Sequence, residues 1–132
     1  MDSEPLHAEL PYGPDVAATL FDAVADDPWS MLLDSGAAGR VRGRYDIIVA
    51  EPVATLTTRG DTTVVERAGS RESSGADPFA LLRAELGPPA PRPAGVPFAG
   101  GALGYFGYDL ARRLERLPVH AADAEDIPDM AV

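Results

Sequence analysis

The chain has 132 residues, enough for one domain with a real core and too few for most enzymes of elaborate chemistry. Its 21 acidic against 11 basic residues leave a net charge of -10 at pH 7, which repels duplex nucleic acid and anionic membrane surfaces. With 13 Gly, 13 Pro and no Cys, it is rich in turns and excludes disulfides, thiolate zinc sites and cysteine nucleophiles.

Every basic residue is Arg, and the absence of Lys removes Schiff-base chemistry and a phosphate-loop lysine. The first residues, Met1 to Pro5, are acidic and carry no apolar run, so no signal peptide is expected. No stretch approaches the roughly 18 apolar residues of a membrane span. A soluble, cytoplasmic protein is the expectation.

In chain order, Leu6 to Pro11 reads as a short strand. Pro14-Asp15 opens a helix with Asp15 as its N-cap, Val16, Leu20, Ala23 and Val24 on one face, and Asp26-Asp27-Pro28 as its stop. Trp29 to Leu33 is an apolar run of strand length. Residues 36 to 44 form a glycine-containing loop with three arginines. Tyr45 to Ala50 is strongly β-prone, and Ala54 to Thr58 follows once Pro52 has broken the run. Arg59-Gly60-Asp61 then reads as a three-residue hairpin loop before Thr62 to Glu66. That tripeptide also matches an adhesion motif, but without a secretion signal the turn is the preferred reading.

Residues 68 to 76 read as a polar loop. Asp77-Pro78 starts a second helix, with Phe79, Leu82 and Leu86 on one face and Gly87 as its stop. Five prolines between Gly87 and Pro97 predict a stiff extended connector. Phe98 to Tyr108 reads as a buried strand whose glycines admit close approach of another backbone. Leu110, Leu114 and Leu117 predict a third helix. Met130-Ala131-Val132 looks like the start of a strand, which suggests a piece of something longer. The expected fold is α+β, with a largely antiparallel β-sheet or sandwich and about three helices.

The catalytic inventory is thin. His7 and His120 stand apart from any nucleophile and read as solvated. Asp26-Asp27 and the group Asp123, Glu125, Asp126 and Asp129 match no calcium loop and read as acidic surface. The glycines at 100, 101, 104 and 107 fit neither a dinucleotide fingerprint nor a phosphate loop. One set is more suggestive: Asp34-Ser35-Gly36 with Arg42-Gly43-Arg44-Tyr45. It could hold a small zwitterion, with Asp34 or the Ser35 hydroxyl on the ammonium and Arg on the carboxylate. On composition alone, a solvated loop with Tyr45 packed in the sheet is the preferred reading.

Several longer stretches carry a resemblance. Pro28-Trp-Ser-Met-Leu-Leu-Asp-Ser-Gly36, Gly43-Arg-Tyr-Asp-Ile-Ile-Val-Ala-Glu-Pro52 and Leu56-Thr-Thr58 resemble the amino-terminal region of aminodeoxychorismate synthase component I. So do Gly100-Gly-Ala-Leu-Gly-Tyr-Phe-Gly-Tyr-Asp-Leu110, Arg112-Arg113, Glu115, Leu117-Pro118 and Ile127-Pro-Asp-Met-Ala-Val132. The resemblance implies a single amino-terminal domain over 1–132, cut before the chorismate-binding catalytic domain. It implies a full-length subunit that aminates chorismate to 4-amino-4-deoxychorismate for p-aminobenzoate and folate synthesis, with a glutamine amidotransferase subunit supplying ammonia. Magnesium and chorismate would belong to the missing domain, leaving this chain without cofactor, catalytic residue or turnover of its own. The family's tryptophan pocket would fall on Ser35, Arg42, Gly43, Arg44 and Tyr45. The alternatives are the sister family, anthranilate synthase component I, and a stand-alone amino-acid-binding module.

Overall fold

The computed structural model describes residues 6–11, 13–36, 45–89, 92–119 and 125–132. They fall into two compact units, residues 1–52 with 90–100 and residues 53–89 with 101–132. Helices and antiparallel sheets of two and five strands make the α+β fold that the sequence predicts.

In the first unit, residues 6–11 form no strand and are exposed. Helix α1 spans Val16–Asp22 and buries none of its residues. Asp15 sits at its N-cap but makes no side-chain capping bond, so burial and capping, the two usual supports of a short helix, are both weak. The helix stops well before Pro28, and turns continue the chain from residue 23. Strand β1 is Met31–Leu33, and β2 is Ile47–Val49. Both are shorter than the apolar runs around them for a backbone reason. Trp29 has φ 67° and Glu51 has φ 50°, left-handed values that a strand does not tolerate. The two strands pair antiparallel, Met31 opposite Val49 and Leu33 opposite Ile47.

The second unit is built on a five-stranded antiparallel sheet. Strand β3, Ala54–Arg59, turns into β4, Thr62–Arg67, and β4 turns into β5, Ser70–Ser74. Arg59 pairs with Thr62, so the first loop is two residues long rather than three, with Gly60 at φ 52°. The second is again a two-residue turn, Arg67 pairing with Ser70 and Gly69 taking φ 79°. Glycine adopts these values without the Cβ clash that strains other residues. The stretch that reads as a polar loop is therefore largely strand. Its side chains are polar because β5 is an exposed edge, where polarity discourages further pairing.

Helix α2, Pro78–Leu86, starts and stops where its sequence says it should. The Asp77 carboxylate accepts from the amides of Phe79 (3.3 Å) and Ala80 (3.2 Å), and Gly87 closes the last turn at φ 60°. Phe79, Leu81 and Leu82 face the core, whereas Leu86 stays 47% exposed. Arg67 of β4 forks onto Glu85 of α2, and that bond holds its guanidinium above its ordinary range.

Strand β6 is only Tyr105–Phe106 and is exposed rather than buried. The expectation of a close backbone approach holds beside it: a Cβ on Gly104 would run into the Ala131 carbonyl oxygen. The third helix is a 3-10 helix, Tyr108–Arg113. Its tighter turn brings Leu110 into the core but leaves Leu114 72% exposed, because i and i+4 no longer share a face. Arg113 from this helix donates to the carbonyls of Gly60 (3.2 Å), Gly75 (3.2 Å) and Ala76 (3.1 Å), tying two turns together.

Strand β7, Met130–Ala131, does form, and it lies inside the sheet, between β3 and β6. Leu56 and Val132 exchange both backbone hydrogen bonds, at 2.7 and 3.0 Å. The core is Leu56, Val65, Leu110, Met130 and Val132. Beside it the Thr58 and Thr63 hydroxyls, opposite each other on β3 and β4, share one 2.8 Å hydrogen bond. Phe79 stacks on Phe106 with ring centroids 5.5 Å apart.

Candidate functional site

The pairing of β1 with β2 decides what happens at Ser35. The ladder ends at Leu33 opposite Ile47, so the next residues must find other partners for their backbone groups. Asp34 Oδ1 accepts from the amide of Gly36 at 2.7 Å, a side-chain turn that aspartate favours, with Gly36 at φ 68°. Asp46, one residue before β2, takes Ser35: its Oδ1 accepts from the Ser35 amide at 2.8 Å and from the Ser35 hydroxyl at 2.9 Å. Those two bonds, the amide first, hold the Asp46 carboxyl below its ordinary value.

Tyr45 lies outside β2 and is 43% exposed, so it is not packed in the sheet. Its hydroxyl donates to the Gly95 carbonyl at 3.0 Å, across a cleft of about 300 Å³ lined by Tyr45, Arg92 and residues 93–97. Arg92 donates to the Pro97 carbonyl at 2.9 Å, which closes the proline-rich stretch on itself.

Ser35 and Tyr45 are thus both placed at one end of the two-stranded sheet. Arg42, Gly43 and Arg44 lie outside the described residues, as do His120 and Asp123. Sequence reasoning did not single out Asp46, the partner of Ser35. A carboxylate at the head of a β-prone run was its only signal, since aspartate is disfavoured inside strands and marks where they begin.

The chemistry of the described part follows from hydrogen counting. A serine hydroxyl has one hydrogen and two lone pairs. Ser35 gives its hydrogen to Asp46, so toward a ligand it presents acceptors, beside an ionised carboxylate. An ammonium group, which only donates, matches that arrangement, and a ligand carboxylate does not. Among the described residues, no three or more His, Asp or Glu side chains are grouped to hold a metal ion. The magnesium that the resemblance implies finds no ligand set there. Among the described residues no helix is long and apolar enough to cross a membrane.

No family model matches the chain. Individual relatives do. The chain is 46% identical to aminodeoxychorismate synthase component 1 of Klebsiella aerogenes over 97% of its length, and 46% identical to that of Escherichia coli (strain K12) over 89%. It is 38% identical over 80% of its length to anthranilate synthase component 1 of Mycobacterium bovis. Along most of its length the chain is thus similar to component 1 synthases of both names. The similarity to aminodeoxychorismate synthase component 1 is the stronger of the two, and anthranilate synthase component 1 is a more distant relation. The chain spans a little over a quarter of the length of the former, 29% and 27% of the two proteins named.

Proposed function

We propose that this chain is the amino-terminal, tryptophan-pocket and scaffolding domain of an aminodeoxychorismate synthase component 1. The full-length subunit would aminate chorismate to 4-amino-4-deoxychorismate for p-aminobenzoate and folate synthesis, in the cytoplasm. A glutamine amidotransferase subunit would deliver the ammonia, and magnesium would sit with chorismate in residues beyond this stretch. The 46% identity along 97% of the chain carries the reading. The ammonium-accepting face of Ser35 supports the ligand part of it, with Arg42 to Tyr45 assigned to the rest of the tryptophan.

Product analysis of the full-length protein with chorismate, ammonia and magnesium tests the activity. Aminodeoxychorismate is expected, and this stretch by itself is expected to turn over nothing. Anthranilate as product would instead select the second reading, which rests on the 38% identity to anthranilate synthase component 1. For the pocket, calorimetry on ligand-stripped full-length protein is expected to show tryptophan binding that Ser35→Ala weakens by about tenfold, the value of one charge-assisted hydrogen bond. Equal affinity in the two proteins would remove Ser35 from the pocket.

A further inference from the structure

We propose that Asp46 is the positioning residue of the ammonium subsite, fixing the rotamer and the hydrogen of Ser35 so that the hydroxyl faces a ligand as an acceptor. This rests on the reading of Ser35 as a ligand-binding residue. A serine hydroxyl turns freely and is as ready to donate as to accept. On a strand end that is exposed, packing does not choose for it. What chooses is a single oxygen: Asp46 Oδ1 accepts from the amide and the hydroxyl of Ser35 together, at 2.8 and 2.9 Å. The amide bond fixes the main chain at residue 35, and the hydroxyl bond fixes the side chain, so the pair acts as a two-point latch.

The latch is itself anchored. Asp46 is held on one side by Ile47, the first residue of β2 in register with Leu33, and on the other by Tyr45, whose hydroxyl donates to Gly95. Asp46 therefore ties Ser35 to the start of β2, and the Ser35 oxygen keeps its lone pairs for a ligand. Its negative charge adds a preference for a cationic group at the same place. The ligand class this selects is an α-amino acid with a free ammonium group. A carboxylic acid lacking that group would gain nothing from the latch.

The test uses the full-length protein, with calorimetry of L-tryptophan and of indole-3-propionate, which lacks only the ammonium. Asp46→Ala is expected to weaken tryptophan about tenfold and indole-3-propionate no more than about twofold. Asp46→Asn keeps an oxygen that can accept both bonds but loses the charge, and is expected to stay within about threefold of wild type for tryptophan. Equal loss of both ligands in Asp46→Ala, or an Asp46→Asn protein as weak as Asp46→Ala, would overturn the positioning role. So would wild-type affinity in Asp46→Ala alongside weak binding by Ser35→Ala, an outcome that leaves the Ser35 reading standing. Absence of tryptophan binding by the wild-type protein would remove that reading, and the latch with it.

Discussion

In the unit formed by residues 53–89 and 101–132, Leu56, Val65, Leu110 and Met130 are no more than 3% exposed, and five strands close around them. In the unit formed by residues 1–52 and 90–100, no described residue is buried, and its sheet is three residue pairs long. The first arrangement is held by removing apolar surface from water, a contribution of about 25 cal/mol per Å². The second is held by pointed hydrogen bonds: Asp34 to Gly36, Asp46 to Ser35, Tyr45 to Gly95. The candidate ligand groups fall in the second. A hydroxyl that must meet a ligand cannot be buried under side chains, so what orients it has to be polar and local. The contrast teaches that apolar burial and pointed hydrogen bonding are concentrated here in separate stretches of chain.

Met130→Ala is the harshest test of that division. Met130 is 0% exposed and lies in β7 between β3 and β6, so truncation leaves a cavity that the sheet cannot close. A loss of about 2–5 kcal/mol is expected, read as a lowered midpoint in thermal or urea unfolding. Leu33→Ala in β1, where the leucine is 50% exposed, is expected to change stability by no more than about 0.5 kcal/mol. Similar losses in the two variants would erase the distinction between the units.

A smaller effect is expected from a buried polar pair in the larger sheet. Thr58 and Thr63 are both 0% exposed, and each hydroxyl has the other as its partner. Thr58→Val strands the Thr63 hydroxyl and is expected to cost about 1–3 kcal/mol. Replacing both by Val removes the orphan with the bond and is expected to recover most of that loss. A double variant as weak as the two single variants added together would show that the hydroxyls act independently.

Where the sequence was legible, local chemistry and packing agreed. Asp77-Pro78 at one end and Gly87 at the other set α2, and the β-branched run Thr62 to Val65 set β4. Residues 70–74 were misread as loop because an edge strand is chosen by its neighbour, and Ser-Arg-Glu-Ser-Ser carries no strand preference of its own. The leucines after Tyr108 were misread as α-helix because their spacing assumes 3.6 residues per turn, and the chain winds more tightly there. At the candidate site, Ser35 and Tyr45 were singled out as part of a set that could hold a zwitterion. Asp46 was not, since its role depends on the strand register that brings residue 35 to residue 46, which no local pattern encodes.

The finest difference between the units is expected in acid. The Asp46 carboxyl is held below the ordinary aspartate value of about 3.9, by the Ser35 amide first and the Ser35 hydroxyl second. A carboxyl whose folded value is depressed favours the folded arrangement fully above its ordinary value. That contribution shrinks as the pH falls below the ordinary value and is gone once the pH has fallen through the depressed one. Between the two values the latch should still be closed, although a free aspartate would already be largely protonated. In an NMR titration the Ser35 amide is therefore expected to move at a pH below 3.9, with the amides of Leu56 and Val132, which exchange backbone bonds, unchanged through the same step. A Ser35 amide that titrates at the ordinary value would mean that the two bonds exert no hold on Asp46. Movement of Leu56 and Val132 in the same step would mean that the polar latch and the apolar sheet are one cooperative structure.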